Sequence, residues 1–176
     1  MNNNRIAVLA GIGDLPELER IFASAREYMV KTGNPTQWPD GYPQRQVLEE
    51  DIAEKRMYLV RDILPGGEYI NRGAFVFAVT DEPNYAKIDG GWKDDSPYAV
   101  LHRIASDGSS RGVFSFIVEF AKSRYPHLRI DTGFDNKVMQ KLILAAGFEY
   151  CGVIYIIKAN GSPRYAYELI QPEEIR

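Results

Sequence analysis

Between Ile104 and Phe114 the chain reads Ile-Ala-Ser-Asp-Gly-Ser-Ser-Arg-Gly-Val-Phe. A strand that runs into a short loop and then a helix gathers unpaired backbone amides and the positive end of the helix dipole at one point. That point attracts phosphate. Gly108 and Gly112 let a ligand approach the backbone closely, and Arg111 adds a charge at the same end. The same residues also suffice for an ordinary capped helix, so residue types alone leave both readings open. His102 lies just upstream, on the stretch that leads into the loop, and histidine titrates close to neutral pH, as a general base should. Strand alternation equally allows it to face away from the loop as a structural residue. His127, next to Pro126 at a helix end, is poorly placed. Cys151 has no basic neighbour in sequence and reads as a small buried apolar group rather than an acyl acceptor. No residue is assigned to a metal.

These groups must be positioned by the elements around them. Arg5 to Leu9 reads as a strand, and Asp14 with Glu17 three residues later has the spacing of a capping box. The helix that follows carries Leu15, Leu18, Ile21, Phe22, Ala25 and Met29 on one face and stops at Gly33-Asn34-Pro35. Thr36 to Pro43 is a loop bearing Trp38, Asp40 and Tyr42, and Pro43 can open a second helix with Val47, Leu48 and Ile52. Strands are expected from Met57, over Ala74 to Thr80, and over Tyr98 to Ala105, with a polar loop at Asp89 to Ser96. Ser109 or Ser110 caps a helix with Val113, Phe116, Ile117, Phe120 and Ala121 on one face. A strand over Leu128 to Thr132 precedes a helix from Asn136 to Gly147, and the last two strands are joined at Asn160-Gly161. The order β, α, α, β, β, β, α, β, α, β, β predicts an α/β chain with a mixed, mostly antiparallel sheet flanked by helices.

The 176 residues suit a single domain, residues 1–176, with a composition of 45% hydrophobic and 26% charged residues typical of globular proteins. The net charge of −3 and the absence of a basic stripe argue against nucleic acid as a partner. No apolar run approaches the roughly 20 residues of a membrane span, and one cysteine with no signal-peptide pattern makes a cytoplasmic location the default. An exposed sheet edge would allow pairing of two copies into a homodimer.

With this order of elements, the chain resembles the GNAT family of acyl-CoA-dependent N-acetyltransferases over nearly its whole length. The family's signature, Gln or Arg, two residues, Gly, one residue, Gly or Ala, falls on Ser109, Gly112 and Phe114, or on Arg111, Phe114 and Phe116; Gly112 fits it well. The stretch from Asp131 to Leu142, with Ala146-Gly147-Phe148, is similar to the family's Asn-containing loop, helix and Gly-Phe ending. The resemblance implies acetyl-CoA as cofactor, its pyrophosphate on Ile104, Ala105, Ser109, Ser110, Arg111, Gly112, Val113 and Phe114, and its pantetheine arm beside Asn136 and Met139. Asn136 also has the type and place of a plain helix cap. The resemblance further implies a small-molecule amine acceptor, walled by the loop with Trp38 and Tyr42, and direct attack in a ternary complex. Many family members place a Tyr acid on the last helix, where this chain has Ile143. Among its 11 tyrosines, Tyr155 and Tyr167 are the candidate replacements. The departures from the signature also fit a non-catalytic acyl-CoA sensor of the same fold.

Overall fold

The computed structural model describes residues 4–39, 41–157 and 161–172. Eight strands form one sheet: β1 (Arg5–Leu9), β2 (Met57–Ile63), β3 (Tyr69–Val79), β4 (Ile88–Gly90), β5 (Ala99–Ser106), β6 (His127–Gly133), β7 (Glu149–Ile156) and β8 (Ser162–Ile170). Their order across the sheet is β1-β2-β3-β5-β6-β8-β7-β4. Among the described strands β5 and β6 are the one neighbouring pair that runs parallel, a helix between them carrying the chain back to the same end of the sheet. That helix is α3 (Val113–Lys122); the others are α1 (Leu15–Lys31), α2 (Arg45–Ala53) and α4 (Lys137–Ala145).

Period-2 alternation divides the sheet's side chains between two faces. Phe75, Leu101, Leu128 and Ile130 meet Ile117 and Val118 of α3 and Ile143 of α4. On the opposite face, Leu59, Ala74, Val76 and Ala105 meet Leu15, Leu18, Ile21 and Phe22 of α1 and Leu48 of α2. Farther along that second face, Tyr85, Val100, Ile154 and Ala166 form a smaller cluster under the segment between β3 and β5.

The expected order of elements is present, with local differences. Asp14 does not cap α1 with its side chain; one carboxylate oxygen accepts from the Gly11 amide and the other from Arg61. The second helix starts from Gln44 rather than Pro43. Part of the expected polar loop is strand β4, which pairs with β7 where Gly90 faces Gly152 so closely that a Cβ on either would meet backbone at 2.2–2.3 Å. The final pair of strands forms as expected, Tyr155 opposite Pro163 and Ile156 opposite Ser162, while Asn160 of the expected turn lies outside the described residues. Among the described residues no helix is long and apolar enough to cross a membrane.

Candidate functional site

The parallel pairing of β5 with β6 covers only Ala99 to Leu101 against Leu128 to Ile130, although both strands continue. A bulge on β5 parts them. Val76 of β3 faces His102 and Ala74 faces Ala105, so Arg103 and Ile104 share the single partner Phe75. Arg103 has φ of 47°, a left-handed conformation that costs an arginine on the order of 1–3 kcal/mol unless its surroundings enforce it. They do. Its guanidinium lies on the fully buried Asp51 of α2 through Nε to Oδ2 at 2.6 Å and Nη2 to Oδ1 at 2.8 Å, and Nη1 donates to the Tyr42 hydroxyl at 2.9 Å. The result is a notch between the ends of β5 and β6.

One end of the notch is the loop before α3. The helix begins at Val113, later than a Ser109 or Ser110 cap would place it, because Gly112 takes the cap position at φ of 74°. The serine hydroxyls are engaged elsewhere. Ser109 Oγ accepts from Arg72 Nη1 at 2.7 Å, and Ser110 Oγ accepts from Arg5 Nη2 at 2.6 Å. Arg5 also donates to the Arg111 carbonyl at 3.0 Å. Both arginines contact the Asp62 carboxylate, which the Arg5 hydrogen bond holds below its usual pKa. Asp107, on the loop itself, accepts from the Ser109 amide at 3.0 Å and the Ser109 hydroxyl at 2.6 Å, so two guanidiniums and two carboxylates meet around the loop. A glycine cap offers no side chain to the first helical amides, and a Cβ at Gly112 would find only Arg5 Nη1 at 3.9 Å. Open amides at the start of the helix, with Arg5 beside them, fit a phosphate group. Arg111 itself is exposed, Ile104 packs at the edge of the core under α3, and Ala105, Val113 and Phe114 are buried.

At the mouth of the notch stands His102. Its Nε2 lies 3.1 Å from Glu82 Oε2 and its Nδ1 lies 3.6 Å from Asp131 Oδ2. Burial alone would raise the Glu82 pKa, but the hydrogen bond and charge of His102, with the donors of Asn84, outweigh it and hold it at about 2. An ionised Glu82 only accepts, so the shared proton belongs on Nε2, and Nδ1 faces the Asp131 carboxylate. The Tyr85 hydroxyl donates to Asp131 Oδ2 at 2.8 Å; burial, then the Asp131 charge, keeps Tyr85 protonated.

The loop between α1 and α2 forms the opposite wall. Trp38 packs against Phe22, with ring centroids 5.7 Å apart, and 6.3 Å from Tyr42. Gln37 Oε1 accepts from the Gly133 amide at 3.1 Å and from Asn136 Nδ2 at 3.0 Å, fixing this loop against the end of β6. Asn136 caps α4, its Oδ1 accepting from the Met139 amide at 3.1 Å, so cap and notch wall are one residue. Met139 packs beside the α3 core.

The two candidate tyrosines are not brought together with His102. Tyr155 is on β7, two strands from β6, and its hydroxyl donates to Asp89 at 2.5 Å. Tyr167 is on β8 opposite Ile130, buried on the face that carries α3 and α4; burial, then Tyr150 and Tyr165, pushes its pKa up to about 12. Ile143 is fully buried in that same core. His127 is a buried partner of Glu168 at 2.7 Å, and burial, then Glu168, pushes the Cys151 thiol up to about 11. Sequence reasoning did not find Arg5, Asp62, Arg72, Glu82, Tyr85 or Asp131. No spacing signal exists for them, since Arg5 lies 105 residues from Ser110 and Tyr85 lies 46 from Asp131.

No family model matches the sequence, and no curated protein is similar to it. Solved structures are. A GNAT family acetyltransferase from Streptococcus agalactiae shares 26% identity over 98% of this chain and 99% of its own, with a TM-score of 0.83. A GNAT family acetyltransferase from Listeria monocytogenes shares 20% over 94% of each chain, with a TM-score of 0.67. A chain of the NatC complex bound to Gag peptide and CoA shares 14% over 96% of this chain and 99% of its own, with a TM-score of 0.54. The mixed sheet and its flanking helices are the fold these structures share.

Proposed function

We propose, from the premise that this chain is an acetyltransferase of the GNAT family, that it acetylates the amine of a small molecule or amino-acid derivative by direct attack on acetyl-CoA in a ternary complex. One observation carries the reading: the Arg103 bulge opens a notch with the glycine-capped start of α3 at one end and a carboxylate-backed histidine at its mouth. Bound acetyl-CoA would supply the thioester carbonyl to be attacked. The amides of Gly112, Val113 and Phe114, with Arg5, Arg72 and Arg111 behind them, receive the pyrophosphate, and Asn136 and Met139 border the pantetheine arm.

His102 Nδ1 takes the proton that the amine loses, while Glu82 holds Nε2–H and stabilises the imidazolium that forms. Asp131, on the same side of the imidazole, favours a cationic amine on arrival. As the new C–N bond forms and the C–S bond breaks, the departing thiolate needs a proton. Tyr167, buried on the side of α3 and α4, is the donor we favour over Tyr155, whose hydroxyl is committed to Asp89. Trp38 and Tyr42 shape the acceptor side.

The second reading, a sensor that binds acyl-CoA without turnover, is favoured by Ile143, a buried aliphatic where many relatives carry an acidic hydroxyl. Thiol release measured over a panel of amines with acetyl-CoA, together with thermal shift, separates the two. Release with at least one amine is the expected result. Stabilisation by CoA with no release from any amine refutes the enzyme reading and leaves the sensor; no stabilisation refutes both.

A further inference from the structure

A concavity of about 190 Å³ opens on the acceptor side of the sheet, between the α1–α2 loop and the start of β8. Arg164 lines it. Its three hydrogen bonds go to neutral oxygens: Ser162 Oγ at 2.9 Å, the Pro163 carbonyl at 3.3 Å and the Gln37 carbonyl at 3.3 Å. Arg5, Arg56, Arg61, Arg72, Arg103 and Arg129 each rest on a carboxylate, whereas Arg164, like Arg26 on the Tyr42 carbonyl, does not. Among the described residues no carboxylate comes within ion-pair distance of Arg164, although Asp135 stands exposed at the rim of the same concavity. Burial lowers the Arg164 pKa, partly offset by Asp131, so the guanidinium is short of both water and counter-charge. A half-buried guanidinium without an anion is an incomplete site for a planar carboxylate, which it can hold through two parallel bonds.

Asn34 also lines the concavity and steadies its floor, its Nδ2 donating to Gln37 Oε1 at 3.1 Å. Register places this site beside the chemistry. Arg164 pairs with Gly133 and Ala166 with Asp131, so the Arg164 and Asp131 side chains are diagonal neighbours on one face of β6 and β8, with His102 beyond Asp131.

We infer that Arg164 forms a carboxylate subsite, and that the acceptor is a free amino acid or similar amine whose carboxylate lies on Arg164 while its amine faces His102 and Asp131. This rests on the acetyltransferase reading for the direction of the amine, but the carboxylate site can be measured without turnover. Thiol release with saturating acetyl-CoA should be compared for the protein amino acids and their carboxamides. At least one free acid should exceed its carboxamide in kcat/KM by on the order of 30-fold. The difference should lie mainly in KM, shrink to within about threefold in Arg164→Gln, and be partly restored in Arg164→Lys. Carboxamides turned over as well as the acids, or a ratio that survives in Arg164→Gln, overturns the inference. In parallel, calorimetric titration of the same pairs into protein saturated with CoA reads binding alone. Selective binding of the acid that Arg164→Gln abolishes supports the subsite even where no thiol is released, in which case only the enzyme reading has failed. Equal binding of acid and carboxamide, or no binding of either, overturns it.

Discussion

Replacing Asp51 by Asn should cost stability and activity together, because one fully buried carboxylate holds the bulge that opens the site. Asp51 is 0% exposed and receives two short bonds from Arg103 and one, at 2.7 Å, from Arg56. Removing one partner of a buried pair strands the other charge, and such changes cost about 3–5 kcal/mol. Asparagine keeps one acceptor and the Tyr42 hydroxyl remains on Arg103, so the lower end, about 3 kcal/mol, is expected. At about 2–4 °C per kcal/mol for a chain of this size, the melting temperature should fall by about 6–12 °C. Urea unfolding of wild type and variant, with unchanged m-values, measures the loss directly. A loss below about 1 kcal/mol refutes the reasoning, since that is the value of an exposed ion pair. The paired change Asp51→Leu with Arg103→Met separates stability from positioning. Swapping a buried pair for apolar residues is often near neutral in stability, but a methionine has no bond to hold φ at 47°, so turnover should stay low in a protein of restored stability.

His102→Gln should lower kcat by about 10²–10⁴-fold while leaving acetyl-CoA affinity within twofold, read by steady-state kinetics and calorimetry; unchanged kcat removes His102 from the chemistry. Gly112→Asp should weaken CoA binding at least tenfold, because it forces a side chain onto a position at φ of 74° and sets a carboxylate among amides meant for phosphate; equal affinity in the folded variant means that the loop is not the phosphate site. Glu82 has its pKa lowered to about 2 from the ordinary 4.5, so its contribution is present above about pH 4.5 and is lost as the pH falls toward 2. The linkage sets an upper bound of about 3 kcal/mol on that loss. Glu82→Gln should therefore be less stable at pH 7 and show a flatter decline between pH 4.5 and 2 in denaturant melts; an unchanged acid limb contradicts the assigned pKa.

What the sequence reveals of this chain follows the range of the forces involved. Apolar periodicity is local, so the faces of α1 and α3 and the order of strands were legible, and Asn136 was recognisable as a cap from its place before Met139. The glycine loop before α3 was legible for the same reason. Residues joined across the sheet were not. Nothing near Arg5 or Arg72 in sequence points to Ser110 or Ser109, and nothing near Glu82 points to His102. The serine cap expected before α3 fails because the Ser110 hydroxyl is taken by Arg5 and the Ser109 hydroxyl is shared between Asp107 of the same loop and Arg72 of β3. Tyr155 and Tyr167 show the limit of alternation: strand position alone does not tell that one hydroxyl is exposed on Asp89 and the other buried beneath α3 and α4.

The reach of Arg5 to the Ser110 hydroxyl and Arg111 carbonyl spans 105 and 106 residues of chain. Contacts of such separation close large loops, and they form late in folding because the chain entropy must be lost before the contact rewards it. The loop before α3 is thus completed only when the first strand has docked on the edge of the sheet. During synthesis, a ribosome-bound chain that has already made β1 to β3 lacks the loop, and one that starts beyond residue 5 can never finish it. A tag or truncation at the amino terminus, more than 100 residues away in sequence, acts directly on that loop.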